Sequence, residues 1–207
     1  MKKLTQTTSG MMLTALMLIV SLRASAQSGT INQTERDFLV NYLSVSLEET
    51  KTTLDEVDET LWQYKPADGG WSIGECMEHI ILAEQALFKQ VKGALQQEAT
   101  DGKSLARKDG YVITRTVDRG SPANTPLKPE AVRMNKKAYL KELKSLRKDV
   151  IAYVQQPDLE LRNHFGKSPF GEVDAYQLVL IIAGHGMRHT AQMKEVIEEY
   201  KGTTASK

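Results

Sequence analysis

Gly184-His185-Gly186-Met187-Arg188-His189-Thr190-Ala191-Gln192 lies late in the chain, inside the apolar periodicity that decides the fold. Leu178, Ile181 and Ile182 precede this stretch and Met193, Val196 and Ile197 follow it, at helical spacing. Such a pattern is the buried stripe of an amphipathic α-helix. His185 and His189 fall on that stripe four residues apart, where two rings stand nearly above one another and can reach one ion. Spacing alone leaves two readings open: a metal-ligating pair, or two core histidines bonded to backbone or to each other. Gly184 and Gly186 flank His185, and each mid-helix glycine costs roughly 1 kcal/mol relative to alanine. Close approach of a neighbouring helix, or room for a ligand, would account for them. Gln192 lies one turn beyond His189 on the same face, placed to hold a water or a substrate.

Working outward, residues 34–63 read as a first long helix, with Leu39, Leu43, Leu47, Leu54, Val57 and Leu61 on its apolar face. Pro66 and Asp68-Gly69-Gly70 end it in a turn. Ser72 and Glu75 form a capping box that opens a second helix, and Trp71 is placed to staple onto Cys76. Ile73, Met77, Ile80, Leu87 and Val91 are its core face, and His79 lies on it four residues after Glu75. From residue 98 to 128 the periodicity vanishes among glycines and prolines, which predicts a long crossover with a short strand or helix near Tyr111–Thr116. Pro129 suits the first turn of a third helix carrying Tyr139, Leu143, Leu146, Val150 and Val154. Residues 158–171 are a further connection. Asp174 with Gln177 caps the last helix, expected to end at Lys201-Gly202. Four amphipathic helices without a convincing strand pair predict an all-α four-helix bundle.

The N-terminus reads as an export leader over residues 1–26: Lys2 and Lys3, an apolar run from Met11 to Leu22, then Ala24-Ser25-Ala26. Residues 27–207 then form one domain, periplasmic or secreted and free of the membrane after cleavage. Removing Lys2, Lys3 and Arg23 takes the basic count from 27 to 24 against 26 acids, which argues against nucleic acid as a partner. Cys76 is the only cysteine, so no intramolecular disulfide forms, and its place on the apolar face makes it core.

In a helical bundle, metal sites are built from inward side chains on facing helices. His79, His185 and His189 supply three imidazoles with an open fourth position, a donor set that suits zinc first and also nickel or iron. Such an ion lowers the pKa of a bound water from about 16 to about 7.

The paired motifs Trp71-Ser72-Ile73-Gly74-Glu75 with His79, and His185-Gly-Met-Arg188-His189-Thr-Ala-Gln192, resemble the DinB/YfiT-like superfamily. Asp118-Arg119, Pro126 and Pro129, together with Asp158 to His164 and Pro169-Phe170-Gly171, resemble its second DinB subgroup. The likeness spans about residues 32–200. It implies a DinB-type four-helix bundle with a long crossover between its second and third helices and a divalent metal held by His79, His185 and His189. The superfamily includes metal-dependent thiol transferases and hydrolase-like members, often homodimers. The leader sets this chain apart, because low-molecular-weight thiols are scarce outside the cytoplasm.

The expectation is therefore an exported metal-dependent hydrolase or group transferase acting on a small molecule, with Gln192 positioning water or substrate. Its alternatives are a non-catalytic metal or ligand binder and a metal-free structural bundle. Glu75 reads as the capping acid, Arg188 as an anion contact or a salt bridge to a neighbouring helix, and His164 as a surface histidine. Glu84, five residues after His79, points roughly 140° away from the ligand direction.

Overall fold

The computed structural model describes residues 29–120 and 127–205. The expected leader lies outside the described residues. Four long helices make the bundle: α1 (Gln33–Asp55), α3 (Ile73–Ala94), α5 (Lys136–Val154) and α6 (Ala175–Ala205). The short α2 (Glu59–Gln63) and α4 (Asp109–Val117) lie in the connections, and β1 (Phe165–Ser168) pairs with β2 (Gly171–Asp174) in an antiparallel hairpin. No helix among the described residues is long and apolar enough to cross a membrane.

The helix α6 is the axis of the fold, packing against α1, α3 and α4. Its residues from Ala175 to Gly184 are buried all the way round, so its first three turns have no solvent face. The capping box holds: Gln177 N–H donates to Asp174 Oδ1 at 2.8 Å, and Asp174 N–H to Gln177 Oε1 at 3.2 Å. The helix runs past the expected stop at Gly202 to Ala205, where Thr203 and Thr204 hydroxyls donate back to the Tyr200 carbonyl.

The two mid-helix glycines record close helix approach. A Cβ on Gly184 would stand 3.0 Å from Thr116 of α4 and 3.1 Å from the Tyr42 hydroxyl of α1. One on Gly186 would stand 2.8 Å from Ser46 Oγ. Ser46 donates to the Ala183 carbonyl, and Thr50 and Thr190 share a hydrogen bond of 2.7 Å, so α1 meets α6 along a seam of small hydroxyl residues.

Three boundaries differ from the sequence expectation. The first helix breaks after Asp55, because Asp58 caps a new short helix by accepting from Leu61 N–H at 2.8 Å. Lys136 Nζ covers the exposed end of α1, donating to the carbonyls of Leu54 and Val57. The third long helix starts not at Pro129 but after Asn135, whose side chain accepts from Ala138 N–H. Pro129 disfavours helix in the residue before it, and residues 127–134 run without helix into the site described below. The connection before α6 contains a hairpin, with Phe165 opposite Asp174 and Ser168 opposite Gly171. Strands of four residues are too short to show an alternation, and Gly171, at φ 97°, permits the tight reversal.

Two buried charged groups hold the bundle. Arg147 of α5 makes a bidentate pair with Glu84 of α3 at 3.0 and 2.8 Å, and donates to the Leu43 carbonyl of α1. Near the start of α6, Arg162 reaches Glu35, Asp109 and Asp174 and lies over the Tyr176 ring. His164, expected at the surface, is buried beside that network, because the hairpin folds back and the Ala175 amide donates to its carbonyl.

Candidate metal centre

Two elements bring the three histidines together. The Ser72–Glu75 capping box (Glu75 N–H to Ser72 Oγ 3.2 Å, Ser72 N–H to Glu75 Oε2 2.7 Å) fixes where α3 starts and so aims His79 inward. Glu75 also pairs with Lys65, so its carboxylate is committed to the helix terminus, as expected. His185 and His189 project from the middle of α6, and one donor atom from each of the three rings lies within 4.8 Å of the others.

Hydrogen bonding sets which ring nitrogens face the centre. A backbone carbonyl only accepts, so the 2.6 Å contact of His79 Nδ1 with the Leu127 carbonyl places the proton on Nδ1 and leaves Nε2 bare. His189 Nδ1 likewise donates to Gln192 Oε1 at 2.9 Å. Metal-bound histidines characteristically carry such a bond on the far nitrogen, which fixes tautomer and ring orientation. The bare Nε2 of His79 faces His185 Nε2 at 3.1 Å, a pair that needs either a proton or a shared cation between its lone pairs.

Ligands at 2.1 Å around a tetrahedral ion stand about 3.4 Å apart, so closing the set onto one ion requires a ring movement of at most ~1.4 Å. The donor set fits a divalent transition metal. All three imidazoles are held neutral, as ligation requires. Burial pushes the His79 pKa down, and burial with the neighbouring imidazoles pushes His185 well down. His189 falls to about 3, chiefly through burial, then through the charge His79 would carry.

Trp71 forms a wall of the centre, its ring 4.8 Å from His79 and 5.7 Å from His189. It also packs against the core cluster that contains Cys76, the residue it is expected to staple. Cys76 is fully buried with its thiol pushed up to about 12 by desolvation, which leaves it a core residue and no nucleophile. Glu84 is absent from the centre because Arg147 holds it, in keeping with its angle on the helix.

Sequence reasoning missed the anchor behind His79. Glu78, next to it on α3, is buried, accepts from the Tyr139 hydroxyl at 2.6 Å and pairs with Arg133 at 2.9 Å. Tyr139 in turn accepts from the Arg133 amide. These contacts pin residues 127–133 against α3 and hold the Leu127 carbonyl on His79. A signal existed in part: Tyr139 sits on a core face, and a buried phenol needs a polar partner. The Leu127 carbonyl left none, since backbone groups carry no side-chain pattern.

Residues 42–193 match the family model described as the DinB superfamily. Among solved structures the chain is similar to YfiT from Bacillus subtilis, described as "a probable metal-dependent hydrolase with an unusual four-helix bundle topology". That likeness has a TM-score of 0.56 at 14% identity, covering 83% of this chain and 91% of that one. No curated protein matches the chain.

Proposed function

Because the chain belongs to the DinB superfamily, we propose that it is an exported metal-dependent hydrolase or group transferase whose divalent ion is held by His79, His185 and His189. The observation that carries this reading is the convergence of three neutral imidazoles, two of them with the far nitrogen already bonded to an acceptor. Zinc suits the set first, with nickel or iron as alternatives. When bound, such an ion supplies Lewis acidity and water activation near neutral pH.

The residues of the chain do the rest. His79 and His189 are oriented by Leu127 and Gln192, and Trp71 walls the site and limits solvent on that side. Gln192 spends its amide oxygen on His189, which leaves its amide nitrogen as the donor toward a small-molecule substrate. Export is supported by the leader pattern at residues 1–26.

A second reading, a binder without turnover, has one observation in its favour. Among the described residues the donor cluster contains histidines alone, with no carboxylate among its members.

Elemental analysis of the mature protein tests the site. About one equivalent of metal per chain is expected, lost in His189→Ala while the helical circular dichroism is kept. Metal-free native protein that takes up neither zinc, nickel nor iron refutes the proposal. Turnover across ester, amide and group-transfer panels by the loaded protein separates the enzyme from the binder.

A further inference from the structure

Residues 127–133 form neither helix nor strand, so individual contacts fix where they lie. Three of those contacts fall on the first turns of α3. A Cβ on Gly74 would stand 3.1 Å from Val132 Cγ1, which marks close seating of the segment on the start of the helix. One turn on, Glu78 Oε1 holds the Arg133 guanidinium at 2.9 Å. Beside it, His79 Nδ1 donates to the Leu127 carbonyl at 2.6 Å. Pro129 lies between these points, and its fixed φ stiffens the segment that joins them.

The Arg133 end is closed by a ring of hydrogen bonds. Glu78 is 4% exposed, and a carboxylate so buried requires partners. Its Oε2 accepts from the Tyr139 hydroxyl at 2.6 Å, and the Tyr139 oxygen accepts from the Arg133 amide at 2.9 Å. Arg133 is therefore bound through both its guanidinium and its backbone, and the ring ties the segment to α3 and α5 together. The Arg133 side chain is 61% exposed, so one member of the ring can be changed without opening the core.

We propose that residues 127–133 are a strap that holds His79 ready for metal, and that Glu78 and Arg133 are its clasp. Both are positioning residues acting through the Leu127 carbonyl, and neither touches the ion. The inference rests on the reading that the three histidines form the functional centre. With the clasp open, the Leu127 carbonyl is no longer pressed on Nδ1. The His79 ring can then turn, and its proton can move to Nε2, the nitrogen that ligation needs bare. Charge alone predicts the opposite outcome for Arg133. Removing a cation near the centre would tighten the hold on a divalent ion, whereas loss of the clasp loosens it.

Two measurements test the strap at pH 7.5, with circular dichroism to verify the fold of each variant. Long-range proton–nitrogen correlation on the metal-free protein reads the His79 tautomer, and competition with a chromophoric chelator reads zinc affinity. The parent should carry its His79 proton on Nδ1. Arg133→Gln and Glu78→Gln should each move part of that population to Nε2 and weaken zinc about fivefold or more. Arg133→Lys, which keeps a cation on Glu78, should stay within about twofold of the parent. Tighter zinc in Arg133→Gln, or zinc and tautomer both unchanged in the two glutamine variants, overturns the proposal. So does weaker zinc with an unchanged tautomer, because the loss would then not run through Leu127, or a lysine variant as loose as the glutamine one. Failure of the parent to take up metal overturns the proposed function instead, and the tautomer in the metal-free variants then decides whether the strap positions His79.

Discussion

Gln192 separates two roles that spacing alone could not, positioning a substrate and positioning a ligand. In the structure its Oε1 accepts from His189 Nδ1 at 2.9 Å. Gln192→Leu removes that acceptor, keeps the volume roughly constant and leaves the other two histidines untouched. Loss of such an outer-shell partner typically lowers metal affinity 10–100-fold, which is about 1.4–2.8 kcal/mol. Gln192 is half-buried, so water can partly replace its oxygen, and the lower end, about tenfold, is expected. Gln192→Glu presents a carboxylate to the same N–H, and charge-assisted bonds are roughly twice as strong as neutral ones. That variant should therefore hold zinc more tightly than the parent. The assay is competition for zinc against a chromophoric chelator at pH 7.5, with circular dichroism to verify the fold. Leucine within twofold of the parent, or glutamate looser than leucine, would refute the positioning role and leave Gln192 a substrate contact only.

Two further outcomes follow from buried charge. In the metal-free protein His189 has a pKa near 3, against 6.5 for an ordinary imidazole. Across that window the unfolded chain binds the extra proton, so stability falls as pH drops through it. Replacing His189 by leucine should remove up to about 1.4 kcal/mol per pH unit from that slope, measured by urea unfolding with chelator present; an unchanged slope contradicts a buried neutral ring. For the Arg147–Glu84 pair, whose side chains are 1% and 3% exposed, either single leucine variant strands a buried charge and should cost about 3–5 kcal/mol. The double variant should recover most of that loss, and neither set should alter metal content. Singles below about 1 kcal/mol, or a double as poor as the sum, would mean the pair is hydrated.

The main helices were legible because their apolar spacing and capping residues are local. Ser72 with Glu75 and Asp174 with Gln177 cap α3 and α6 as their residue types predict. What resisted reading depends on partners distant in sequence. The break at Asp58 is stabilised partly by Lys136, and the late start of α5 leaves residues 127–134 free to meet His79. His164 gave no inward periodicity because a hairpin, not a helix, buries it. At the centre, the three donors were legible from spacing and resemblance, whereas the acceptors that orient them were only half visible. Gln192 shows on the helical wheel; Leu127 contributes a carbonyl, which any residue would have supplied. The flanking glycines pointed to crowding or to a ligand, and Thr116, Tyr42 and Ser46 decide for crowding.

His79 and His185 are separated by 105 intervening residues, and their Nε2 atoms lie 3.1 Å apart. An ion held between them would join the second quarter of the chain to its last quarter. Cross-linking a loop of about 100 residues restricts the unfolded ensemble by about 4.7 kcal/mol in the chain-entropy description of a disulfide. With Cys76 alone and buried, this chain has no sulfur route to such a staple. Coordination would take its place as a removable one, so metal supply would govern resistance to proteases and lifetime, separately from any turnover.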